Sequence, residues 1–190
     1  MKNFALLEKN AHGASLYRYG LGDKNSTEKF VTYASCMGNS NLLSNFDLSS
    51  KDSIQNWGTG VELEEVKIRT LDSFSLSEAT MIKIDVEGAE MKVLLGARET
   101  LSRLKPAVWI EIHSDKTLRN AGFMYTRKDI DDFFSSIKYR RIKTLTNETN
   151  FFYVPKYAYK ILQLTMILKT KVQFLRRFQK ELLNMITQKY

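Results

Sequence analysis

Residues 81–112 constrain this chain more than any other stretch. Met81 to Val86 (MIKIDV) is a short apolar run, interrupted by Lys83 and ended by Asp85. Ala89 to Leu104 follows, with Leu94, Ala97, Leu101 and Leu104 at helical spacing, and Pro106 stops it. Ala107 to Ile112 (AVWIEI) is a second apolar run. Short apolar runs bounded by turn signals read as buried strands. Two of them joined by an amphipathic helix make a βαβ unit, with parallel strands and a right-handed crossover. Gly96 in mid-helix costs about 1 kcal/mol relative to Ala, so close packing onto a sheet is the expected reason for it.

In an open parallel sheet, ligands sit beyond the carboxyl ends of the strands. Asp85, Glu87 and Glu90 fall at the first such end, and Glu111 and His113 at the second. Adjacent strands would let Asp85 and Glu87 face Glu111 and His113 across one cleft. Such a group can serve as a general base, orient a hydroxyl, or hold a divalent metal through oxygen ligands and one imidazole. Plainer roles compete. Glu87 and Glu90 lie in the first turn of a helix, where the dipole stabilises acids, and His113 could be a solvated strand end. The sequence has no P-loop, no zinc-type Cys or His spacing, no G-x-S-x-G elbow and no G-x-G-x-x-G after a strand.

Elsewhere the pattern is mixed. Met1 to Ala11 reads as a helix ended by His12-Gly13, with His12 a solvated loop residue. Ser15 to Leu21, Glu28 to Tyr33 and Val61 to Leu71 read as strands. The last two are expected to pair antiparallel around the polar connection Ala34 to Gly60, as a lid-like insertion. Asp72 to Ala79 is a short helix or turn. Thr126 to Ile137 is a helix with Thr126 as N-cap, and Tyr139 to Leu145 with Asn150 to Val154 form a closing strand pair.

Composition narrows the class. One cysteine, Cys36, excludes an internal disulfide framework and fits a reducing, cytoplasmic setting. There is no signal peptide pattern and no uncharged apolar run of membrane-spanning length. Residues 156–190 carry eight of the 29 basic residues but one of the 21 acidic ones, a net +7 of the chain's +8. The near-neutral remainder argues against a nucleic-acid-binding surface. In 156–190 an apolar stripe runs beside Lys160, Lys169, Lys171, Arg176, Arg177 and Lys180. That pattern suits a helix packed on its own domain or a second subunit, and it also suits peripheral contact with a membrane.

Residues 81–113, MIKIDVEGAEMKVLLGARETLSRLKPAVWIEIH, resemble the signature of FkbM-type S-adenosylmethionine-dependent methyltransferases. LYRYGLGDKN and GNSNLL match that family more loosely, and Gly88, Gly96 and Pro106 stand where its pattern has them. The likeness runs from Met1 to Val154. It implies an α/β fold built on a class I (Rossmann-like) methyltransferase sheet of strand order 3-2-1-4-5-7-6. It also implies S-adenosylmethionine as cofactor and O-methylation of a sugar or other small hydroxyl acceptor. By position, the resemblance puts Asp85 nearest donor and acceptor, with catalytic and cofactor-binding roles. Glu87, Glu111 and His113 line the acceptor side as catalytic residues. Asn39, Ser40 and Glu90 bind substrate, and Asp23 lies on the adenine side of the cofactor.

The family's fold opens with a strand and a glycine-rich loop that cradles the methionine part of the cofactor, then a second strand with a ribose-binding acid. Met1 to Ala11 reads as the helix after that second strand. Two βα units, roughly 60 residues at about 30 each, have no counterpart. The expectation is therefore an N-terminally truncated sheet, with Ser15–Leu21 separated from Met81–Val86 and two parallel-type edges left bare. Residues 1–155 would be a partial methyltransferase domain and 156–190 a basic helical tail. Either the chain is the C-terminal part of an enzyme, or it is a non-catalytic remnant or a partner-dependent binding module.

Overall fold

The computed structural model describes residues 2–33, 41–42, 61–142, 149–161 and 163–164. In chain order these form α1 (Lys2–Asn10), β1 (Gly20–Leu21), β2 (Ser26–Tyr33), β3 (Asn41–Leu42), β4 (Val61–Arg69) and a 3-10 turn (Leu71–Phe74). Then come β5 (Met81–Ile84), α2 (Glu90–Leu95), α3 (Arg98–Leu104), β6 (Ala107–Glu111), α4 (Asp115–Asn120), α5 (Arg127–Ser136), β7 (Tyr139–Ile142) and β8 (Asn150–Pro155). Residues 156–161 continue as helix. Most of the basic tail, the Ala34-to-Gly60 connection apart from Asn41 and Leu42, and Cys36, Asn39 and Ser40 lie outside the described residues.

The strands form two sheets of four, ordered β1-β4-β2-β3 and β5-β6-β8-β7. In the second, β5 and β6 are parallel, with Met81 opposite Ala107 and Ile84 opposite Ile110. β8 runs antiparallel to both β6 and β7. That is the 4-5-7-6 half of the expected methyltransferase order. β1, the counterpart of strand 3, lies in the other sheet and pairs in parallel with β4. β1 and β5 thus each stand at the edge of a separate sheet. The expected antiparallel pair is present as β2 and β4, in register from Ser26 opposite Ile68 to Tyr33 opposite Val61.

The core sits on one face of the second sheet. Alternation along the strands sends Ile84, Val108, Ile110, Ile112 and Tyr153 inward. There they meet Val93, Leu94, Ala97 and Leu101 of the crossover and Ile130, Phe133 and Phe134 of α5. Phe134 stacks on Tyr153 with ring centroids 3.8 Å apart. The opposite face carries Met81 and Trp109, 50% and 41% exposed.

Three expectations need correction. Ser15–Leu21 contributes only Gly20–Leu21 to a sheet. The residues before it turn Tyr17 and Tyr19 onto the ring of Phe74, at 5.3 and 6.3 Å, instead of laddering with a strand. The single helix Ala89–Leu104 is two helices, α2 and α3. Asp72 causes the break. Its N–H donates to the Gly96 carbonyl at 3.0 Å. Its carboxylate accepts the N–H groups of Thr100 at 2.7 Å and Glu99 at 3.1 Å. The bond that would link Gly96 to Thr100 in a continuous helix is thereby replaced by two bonds through Asp72, which caps α3 from a distant turn. Third, α4 was not anticipated; Ser114 starts it by accepting the Thr117 N–H at 3.1 Å. α5 begins as expected, with a reciprocal capping box between Thr126 and Asp129.

Candidate functional site

The site lies where β5 and β6 end. After β5 the chain makes a tight turn through Glu87 (φ +49°) and Gly88 (φ +103°), both left-handed. Glycine is required at 88 on two counts. The φ value disfavours any Cβ, and a Cβ there would lie 1.9 Å from Cζ of Phe123. The turn throws the Glu87 side chain across to the neighbouring strand end. His113 follows β6 there, and its Nε2 lies 3.1 Å from Glu87 Oε2. Both side chains are partly open to solvent.

The sequence-derived candidates divide on their surroundings. Glu87 and His113 meet, as the parallel pairing of β5 with β6 allows. Asp85 is 2.8 Å from Lys83 Nζ, two residues back on its own strand, rather than across the cleft. That contact, with its charge, holds the Lys83 ammonium above its ordinary pKa. Glu111 accepts the Thr149 hydroxyl at 3.3 Å. Asp23 is exposed beyond β1.

Glu90, expected to bind substrate, instead points inward and is 1% exposed. One carboxylate oxygen accepts the Gly88 N–H at 2.9 Å, and the other accepts the Tyr125 hydroxyl. Glu90 is thus a brace for the turn. Burial first, then the adjacent Glu90 charge and hydrogen bond, push the Tyr125 phenol far above its ordinary value, so it remains a proton donor.

A divalent metal held by Asp85, Glu87, Glu111 and His113 is not supported. Among the described residues no group of three or more His, Cys, Asp or Glu side chains gathers as a metal would need. The pairing of Asp85 with Lys83 is one reason. Gly20 of β1 and Gly22 just after it do not form an open cofactor cradle either. A Cβ on Gly20 or Gly22 would lie 2.7 Å from the Ile68 side chain, so that space is already filled. The described residues leave no open space at Gly20 and Gly22. Among them, no helix is long and apolar enough to cross a membrane.

A family model for the methyltransferase FkbM domain matches residues 2–141. The chain belongs to the FkbM methyltransferase domain family. Among solved structures, the methyltransferase FkbM from Methylobacillus flagellatus KT is similar to it, with a TM-score of 0.45 and 16% identity. That match covers 80% of this chain and 32% of the other, so the chain spans about a third of that protein's length. No curated protein matches.

Sequence reasoning missed the residues that hold this FkbM-family site in shape. Phe123 covers Gly88, Tyr125 binds Glu90, and Arg127 binds the end of β6 through the carbonyls of Ile112 and His113. The sequence signalled only the helix start at Thr126, and nothing local showed that Phe123, Tyr125 and Arg127 reach back to the ends of β5 and β6.

Proposed function

We propose that this chain carries the acceptor side of an S-adenosylmethionine-dependent O-methyltransferase whose acceptor is a hydroxyl of a sugar or other small molecule. The observation that supports this reading best is the Glu87–His113 hydrogen bond at two adjacent parallel strand ends, in a chain of the FkbM family. With Nε2–H donating to Glu87, Nδ1 keeps a lone pair that can take the proton of an acceptor hydroxyl. Glu87 orients the ring and offsets the charge it gains on doing so. The oxygen, relieved of its proton, is the stronger nucleophile. In this reading Asp85 and Glu111, at the same strand ends, accept hydrogen bonds from further hydroxyls of the acceptor. Asp23 serves the cofactor side, and Asn39 and Ser40 the substrate side. The test is transfer of labelled methyl from S-adenosylmethionine by the full product of the gene to a panel of monosaccharides and glycosides, with products assigned by mass spectrometry. A methyl ether supports the proposal. Methyl found only on nitrogen or sulfur acceptors, or no transfer at all, overturns it.

A second reading, a module that works only with a partner chain, is favoured by β1 and β5 both standing at sheet edges. Such edges expose backbone groups that another strand can pair with. Transfer catalysed by residues 1–190 alone would sink that reading.

A further inference from the structure

Beyond the dyad itself, we propose that Phe123–Arg127 is a clamp that sets Glu87 and His113 in hydrogen-bonding position, with Tyr125 and Arg127 as positioning residues. The proposal rests on reading Glu87 and His113 as the acceptor-side pair. One short segment touches both halves of that pair. On the Glu87 side, the Phe123 ring occupies the space where a Gly88 Cβ would be. The Tyr125 hydroxyl lies 3.1 Å from the Gly88 carbonyl and also reaches Glu90, whose other oxygen holds the Gly88 N–H. The left-handed turn at 87–88 is therefore gripped at its N–H, its carbonyl and its bare Cα.

On the His113 side, Arg127 donates from Nε to the His113 carbonyl at 2.9 Å and from Nη2 to the Ile112 carbonyl at 3.0 Å. Its own N–H donates to Asp115 at 2.9 Å, and its guanidinium lies over the Phe151 ring, 5.1 Å from the centroid. The planar fork thus spans two consecutive carbonyls at the root of the imidazole. A lysine keeps the charge but loses the fork. Glu87 and His113 are 26 residues apart, and nothing in β5 or β6 alone fixes how their side chains approach. The clamp ties the two roots to one short segment. Neither Tyr125 nor Arg127 needs to touch a substrate for this.

Imidazole ¹⁵N NMR of residues 1–190 tests the clamp without any methyl transfer. His12, exposed in its loop, is an internal reference. In the wild type the neutral His113 ring favours the Nε2–H tautomer. Glu87→Ala removes the acceptor and lowers the Nε2–H to Nδ1–H ratio by about 5-fold, the factor that one net hydrogen bond sustains. Tyr125→Phe and Arg127→Lys, each with Glu87 intact, lower it in the same direction by at least about 3-fold, with His12 unchanged. Tyr139→Phe is the control for general loosening. That buried hydroxyl also binds two carbonyls, of Leu101 and Pro106, and its loss leaves the His113 ratio unchanged. The clamp is overturned if Tyr125→Phe and Arg127→Lys leave the ratio at wild type. It is equally overturned if Tyr139→Phe shifts the ratio as far as they do, or if Glu87→Ala has no effect. The methyl-transfer assay can fail while this experiment succeeds, and the reverse, so the two readings are separable.

Discussion

Gly96→Ala sets two effects against each other at one position. Restricting the unfolded chain favours alanine by about 0.4–1 kcal/mol. Gly96 has φ −78° and ψ 0°, so alanine meets no backbone strain there. Packing opposes it. The new Cβ would lie 1.9 Å from the Gly22 carbonyl oxygen, 3.0 Å from its carbon and 3.2 Å from Thr70 Cβ. An ordinary C···O contact needs a retreat of more than about 1 Å. The Gly22 backbone is anchored by its own N–H to the Arg69 carbonyl at 3.0 Å, so the retreat pulls on the β1–β4 pairing. Overpacking of this kind costs about 3 kcal/mol at the upper end of its usual range, and packing wins by roughly 2 kcal/mol after that entropic gain. For a chain of this size that lowers Tm by about 4–8 °C, read by circular dichroism and confirmed as a lower urea midpoint. Gly13→Ala is the contrast, with φ +79° and nothing within 4 Å of the new Cβ; it shows backbone strain alone, about 1–2 kcal/mol. An unchanged or higher Tm for Gly96→Ala would refute the claim that α2–α3 seats directly on the β1 turn.

Other substitutions follow from the same geometry. Asp72→Ala strips the N–H groups of Glu99 and buried Thr100 of their acceptor and lowers unfolding free energy by about 1–3 kcal/mol in urea, whereas an unchanged midpoint would mean that α3 needs no cap from the turn. Gly88→Ala combines left-handed φ with collision against Phe123 and destabilises by about 3 kcal/mol; its effect is less than additive with Phe123→Leu, and strict additivity would contradict the contact. Asp129 has its pKa lowered by the Thr126 hydroxyl and backbone N–H, so its stabilisation is fully present above the ordinary carboxylate pKa of about 4 and is lost as pH falls through the lower folded-state value. The urea midpoint advantage of wild type over Asp129→Asn therefore shrinks between pH 6 and strongly acidic buffers at about pH 2; an advantage that grew on acidification would reverse the assignment.

What could be read from the sequence was the part governed by local pattern. The runs 81–86 and 107–112 alternate or bury as strands, and Thr126 with Asp129 spells a helix start, so β5, β6 and α5 appear nearly where expected. The parallel pairing of β5 with β6 then brought Glu87 to His113. What could not be read depended on partners far away in sequence. Asp72 divides the crossover helix 28 residues from Thr100, and no periodicity within 89–104 reveals an outside carboxylate. Glu90 reads as an acid in the first turn of a helix, and its burial depends on Tyr125, 35 residues on. The residues most open to misreading were those whose polar atoms are satisfied across elements.

The central claim is that His113, oriented by Glu87, takes the proton of a hydroxyl acceptor. The most direct measurement is kcat for methyl transfer by the full gene product carrying His113→Asn, with wild type alongside and the acceptor KM followed in both. Removing a positioned general base lowers kcat by about 10²–10⁴-fold, and the acceptor KM is expected to stay within a few-fold. A His113→Asn enzyme that retains near wild-type kcat would show that the proton leaves by another route, and the account of this site would be wrong.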